Sequence, residues 1–147
     1  MYGFLERRAR DAMTKDVVTI TRDTPLRQVA EIFDSHDFNA LPVVEGDELV
    51  GLLTKLDLLR GFIFTPASVV PHYDEIMDER ASTVMRKSPE AVEPETPLTR
   101  ILQRMVDTGF KSLPVVEGTR LVGIVAREDV VRALRQASSE SPPSQSP

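Results

Sequence analysis

Thr54 and Asp57 stand three residues apart, directly after an apolar run that ends in Gly51-Leu52-Leu53. A hydroxyl and a carboxylate at this spacing, where a strand gives way to a helix, can do two kinds of work. The carboxylate accepts hydrogen bonds from a vicinal diol, and the hydroxyl donates to an anion such as phosphate, helped by the unpaired N–H groups and positive dipole of a helix start. The same pair also reads as a capping box, in which Thr54 caps the helix and Asp57 bonds back to the cap N–H. Seventy-two residues later Ala126 replaces Thr54 while Asp129 remains. The hydroxyl is lost there and the acid kept, so spacing alone leaves both readings open.

Other site chemistry is sparse. The two histidines, His36 and His72, have no paired spacing, and with no cysteine there is neither a disulfide framework nor a thiolate metal site. No Gly-rich phosphate loop, nucleophile elbow or acid–base carboxylate pair is recognisable, so no catalytic residues and no metal are assigned. A net charge of −5 speaks against broad nucleic-acid binding, which needs clustered Lys and Arg. Charged residues at 28% and hydrophobic residues at 41% are globular composition. No apolar run reaches the ~18 residues of a membrane span and the start has no signal-peptide core, so a cytoplasmic location is expected.

The elements that must position Thr54 and Asp57 are duplicated. Leu41-Pro42-Val43-Val44-Glu45-Gly46 through Gly51 returns as Leu113-Pro114-Val115-Val116-Glu117-Gly118 through Gly123, and nine of these eleven positions are identical. Each copy reads as a β-hairpin, its last glycine marking a close backbone approach. Upstream, Val17 to Thr21 reads as a strand, and Thr24-Pro25 as an N-cap followed by the first helical residue. Leu26, Val29, Ala30 and Phe33 then form a helix stripe, repeated as Leu98, Ile101, Leu102 and Met105. The order strand, helix, strand, strand, helix recurs without a gap. A copy of about 50 residues is marginal alone, so the two are expected to share one core. The expected boundaries are an N-terminal segment 1–10, repeat one 11–62, a connector 63–81 with a short helix between Tyr73 and Arg80, repeat two 82–137, and a disordered Ser/Pro tail 138–147.

Met13-Thr14 before a Val-rich strand, Leu26-x-x-Val29-Ala30, Leu41-Pro42-Val43-Val44, Gly51 and Thr54-x-x-Asp57, all repeated, resemble the cystathionine β-synthase (CBS) domain family, whose tandem pairs are called Bateman modules. The resemblance implies an α+β fold: two β-α-β-β-α repeats about a pseudo-two-fold axis, sheets packed together and helices outside. It also implies a stand-alone, non-enzymatic regulatory module. Its clefts between repeats would bind an adenine nucleotide (AMP, ADP or ATP) or S-adenosylmethionine as a regulatory ligand rather than an obligatory cofactor. Homodimerisation and signalling to a partner protein follow from the same resemblance; the alternative is a ligand-free dimerisation module.

Carried over position by position, the resemblance gives Asp57 and Asp129 the ribose hydroxyls and Thr54 the phosphate. Arg127 stands at the position of Lys55. In some family members a basic residue three before the hairpin proline reaches phosphate held mainly by the other repeat; that position is Lys111 in the second copy and Asn39 in the first. Base contacts would come from Val17 and Val18, or from Ala91 and Val92. The cleft built on Thr54 and Asp57 is then expected to be the better phosphate binder.

Overall fold

The computed structural model describes residues 2–63 and 73–139. In chain order the elements are helices α1 (Tyr2–Glu6), α2 (Ala9–Ala12) and α3 (Leu26–Ser35), strands β1 (Ala40–Glu45) and β2 (Glu48–Thr54), and helices α4 (Lys55–Arg60) and α5 (Tyr73–Met77). Then follow a short 3-10 turn at Ala81–Thr83, β3 (Arg86–Lys87), α6 (Leu98–Thr108), β4 (Ser112–Glu117), β5 (Arg120–Ala126) and α7 (Arg127–Ser138). This is the expected α+β fold with two tandem repeats. Most of the expected connector, residues 64–72 with His72, and the tail beyond Ser139 lie outside the described residues.

The chain forms two compact units, and neither is a contiguous copy of the repeat. One comprises residues 18–89; the other comprises 1–17 with 90–147. In the first unit β1 and β2 make an antiparallel hairpin, and β3 pairs antiparallel with β2, Arg86 opposite Leu52. In the second, β4 and β5 make the same hairpin, and Thr14 bridges Ile124. The Met-led segment that opens each sequence copy therefore lies against the hairpin of the other copy. Gly51 and Gly123 permit this. A Cβ on Gly51 would lie 2.8 Å from Met85 Sδ and 3.0 Å from the Arg86 carbonyl; one on Gly123 would lie 2.6 Å from Met13 Sδ and 3.0 Å from the Thr14 carbonyl.

Both hairpins turn in two residues, with positive φ only at the first, Gly46 (63°) or Gly118 (64°), as a type II′ turn requires. A register shift between Val43 and Val44, matched at Val115 and Val116, marks a bulge. Val17 to Thr21, read as a strand, pairs only at Ile20, which donates to the Pro42 carbonyl (3.0 Å) and accepts from the Val44 N–H (2.9 Å). The next rung would need an N–H on residue 42, and proline has none. Val92, held by Pro114 and Val116, repeats this arrangement.

Helix α3 starts one residue later than the sequence suggests. Pro25 is the cap, and the Thr24 hydroxyl accepts from the Thr21 N–H (3.0 Å), tightening the preceding turn. The helix needs no side-chain cap, because the Leu26 N–H donates to the Glu79 carbonyl at 2.8 Å. In the second unit Thr96 accepts from the Glu93 N–H, and Leu98 donates to the Arg7 carbonyl at 3.0 Å.

Buried apolar side chains form two clusters, one per unit, where a single shared core was expected. Ile20, Leu26, Val29, Phe33, Leu41, Val43, Leu53 and Ala81 make one, the α3 stripe facing the hairpin. Leu98, Ile101, Met105, Leu113, Val115 and Val125 centre the other, joined by Phe4 and Ala9 from the N-terminal helices and by Ala133 and Ala137 of α7. A fully buried Leu or Val in such a cluster contributes roughly 1.5–3 kcal/mol. Among the described residues no helix is long and apolar enough to cross a membrane, and no group of His, Cys, Asp and Glu could hold a metal ion.

Candidate functional site

At the end of β2 both halves of the capping box are made. The Asp57 N–H donates to Thr54 Oγ1 (3.1 Å) and the Thr54 N–H donates to Asp57 Oδ2 (2.9 Å). Accepting that bond leaves the Thr54 hydroxyl its own hydrogen to donate elsewhere, so capping does not exhaust the residue. Asp57 is 1% exposed. Burying a carboxylate demands cationic or hydrogen-bonding partners, and Asp57 has both. Arg86 Nε lies 3.4 Å from Oδ1 and 3.3 Å from Oδ2, and Arg60 Nη1 lies 3.5 Å from Oδ1.

The second junction keeps the acid's half of this arrangement. Asp129, 7% exposed, accepts from the Ala126 N–H at 2.8 Å, and Arg132, the counterpart of Arg60, donates to its Oδ1 at 3.1 Å. The larger difference lies elsewhere. Arg86 occupies the place that Thr14 holds in the other unit, each next to the methionine that covers a hairpin glycine. Sequence reasoning missed Arg86. Its signal was there: a residue that diverges immediately after the repeated Met13/Met85.

The remaining candidates separate by position. Arg127 turns to the loop after α6, its Nη2 donating to the Gly109 carbonyl (2.6 Å) and its Nε to that of Phe110 (3.3 Å). Its backbone N–H reaches the Lys111 carbonyl at 2.9 Å, which brings Lys111, Arg127 and Asp129 to one junction. Lys111 is exposed; Asn39, its counterpart, is half-buried just before β1. Val17 and Val18 are half-buried, and Val18 packs on the core of its unit. Val92 stands farther along β4, opposite Val115, with its N–H and C=O bonded to Pro114 and Val116. It borders a polar hollow of about 300 Å³ shared with Thr96, Arg100 and Arg104. His36 stacks on Phe38, ring centroids 4.8 Å apart.

A second surface feature is apolar. Leu102, Met105 and Val106 of α6, with Val130, Val131 and Leu134 of α7, line a groove of about 360 Å³. Val106 is 71% and Val131 57% exposed.

The family model described as "CBS domain" matches residues 9–63 and again 81–136. The CBS domain-containing protein YhcV of Bacillus subtilis is 32% identical over 133 residues, covering 90% of this chain and 87% of its own length. The uncharacterized protein MJ0188 of Methanocaldococcus jannaschii is 31% identical over 124 residues, 82% of this chain; the chain spans only 42% of MJ0188. Among solved structures, CBSX2 in complex with AMP superposes with a TM-score of 0.77 at 26% identity, covering 89% of this chain and 98% of that one; CBSX2 is from Arabidopsis thaliana. With both of its repeats matched and the duplicated hairpin-to-helix junction in place, the chain belongs to the CBS domain family.

Proposed function

We propose that this CBS pair is a regulatory module that binds an adenine nucleotide and passes its occupancy to a partner protein. The observation that carries the reading is the buried carboxylate held at each hairpin-to-helix junction, Asp57 and Asp129. A carboxylate fixed by a backbone N–H is a preorganised acceptor for a ribose diol, and at the first junction Thr54 retains a donor for phosphate. The complex of the similar CBSX2 with AMP supports this ligand class. S-adenosylmethionine shares the ribose and is an alternative within the class. Arg86 and Arg60 stand at the first carboxylate and Arg132 at the second, and the first junction, with a hydroxyl that the second lacks, is the stronger phosphate site. Micromolar binding corresponds to about 8 kcal/mol, but signalling uses only the difference in affinity between two conformations. Calorimetric titration with AMP, ADP, ATP, S-adenosylmethionine and NADH tests the reading. Saturable heat from at least one of the adenosine ligands, reduced by Asp57→Asn or Asp129→Asn, is expected; silence from all of them with folded protein would overturn it.

The apolar groove between α6 and α7 favours a second reading, in which the module works by self-association alone. That version predicts a dimer whose stability does not respond to any nucleotide and is indifferent to Asp57→Asn.

A further inference from the structure

Resting on the nucleotide reading above, we infer that Arg86 is the specificity-determining residue of the first junction, making it select phosphorylated nucleotides over the bare nucleoside. Asp57 is almost completely enclosed, and Arg86 Nε lies within 3.4 Å of both its carboxylate oxygens. Ribose hydroxyls reach those oxygens only if the guanidinium yields its place. The Arg86 side chain is 37% exposed and hangs from a two-residue strand, so it has room to swing. Thr54 N–H keeps one carboxylate oxygen in position throughout.

The exchange has an unequal balance for different ligands. A nucleoside supplies two hydroxyls to Asp57 but breaks the Arg86–Asp57 ion pair without offering the guanidinium an anion in exchange. A nucleotide supplies the same hydroxyls and also a phosphate, which a guanidinium binds with planar, charge-assisted hydrogen bonds. Arg86 is thus a cost to one ligand and a contact for the other, the pairing of repulsive and attractive elements on which specificity depends. The second junction has Thr14 in this place, and its Arg132, the counterpart of Arg60, meets only one carboxylate oxygen of Asp129, so among the described residues no guanidinium spans both oxygens there and nucleoside and nucleotide are accepted more evenly.

The test is calorimetric titration of the full chain with adenosine and with AMP, using Asp129→Asn to silence the second junction. In that background Arg86→Thr is expected to tighten adenosine, weaken AMP, and lower the AMP-to-adenosine affinity ratio by about tenfold or more. Arg86→Lys keeps the charge without the planar fork and should fall between; it also serves if the threonine variant folds poorly. Binding of both ligands with an unchanged ratio in these variants would overturn the role of Arg86 and leave the nucleotide reading standing. No binding of either ligand to the unsubstituted chain would overturn both.

Discussion

Gly51 lies so close to Met85 that a single added methyl carbon would stand 2.8 Å from the thioether sulfur. The contact joins residues from different sequence copies inside one folded unit, and Gly123 with Met13 repeats it in the other. Gly51→Ala and Gly123→Ala should each destabilise the protein by about 1–3 kcal/mol through overpacking, measured as a lower urea midpoint. Because the obstruction is partly a flexible side chain, adding Met85→Ala to Gly51→Ala should recover part of the loss. A double mutant no better than the sum of its parts would mean that the methionine is not what the glycine accommodates.

The two junctions offer a natural comparison of helix capping. Thr54→Ala removes a side-chain cap that is present and should cost about 1 kcal/mol, whereas Ala126→Thr adds one where the acid already bonds back and should gain several tenths to about 1 kcal/mol. Both changes are read by chemical denaturation without ligand. Opposite signs are expected, and a Thr54→Ala variant as stable as the unsubstituted chain would show that the hydroxyl contributes nothing to the first helix start.

Leu41 and Leu113 hold equivalent places, fully buried in the two clusters. Each is expected to cost about 2–5 kcal/mol on substitution by alanine, seen as a fall in the thermal midpoint. Losses below about 1 kcal/mol would place these side chains outside a close-packed interior.

The groove between α6 and α7 gives a prediction about assembly. On the self-association reading, charges at Val106 and Val131, introduced as Val106→Glu and Val131→Glu, should shift sedimentation velocity toward monomer while leaving the far-ultraviolet spectrum unchanged. The counterpart of Val106 in α3 is Asp34, already charged, and that of Leu102 is the small Ala30, whereas Val131 is matched by the exposed Leu59 of α4. Unaltered sedimentation would remove this groove as a self-association surface.

Much of the architecture was legible in the sequence because it rests on side-chain patterns. The stripe from Leu26 to Phe33, the Glu-Gly turns and the Thr54-x-x-Asp57 box all appear where the residues place them. What escaped depends on the backbone. Pro42 and Pro114 shorten the pairing of the segments beside them by withholding one N–H each. The N-terminal helices and the stretch around Tyr73 to Ala81 are also counterparts, since the carbonyls of Arg7 and Glu79 serve the starts of α6 and α3 alike. Only Arg8/Arg80 and Ala9/Ala81 betray that equivalence in the sequence, because a carbonyl oxygen is the same whatever side chain it carries. Arg86 went unseen for a related reason: β3 is two residues long, too short to show a period.

The crossing of each Met-led segment onto the other copy's hairpin also bears on how such a chain could have arisen. A single ancestral copy would have carried both a segment with no hairpin of its own to cover and a hairpin whose glycine faced open solvent. Two identical copies would satisfy each other reciprocally, as separate polypeptides exchanging arms. Within one covalent chain the two junctions can differ while the exchange of arms is kept, and they do: Arg86 and Arg60 flank one buried carboxylate, and Arg132 flanks the other.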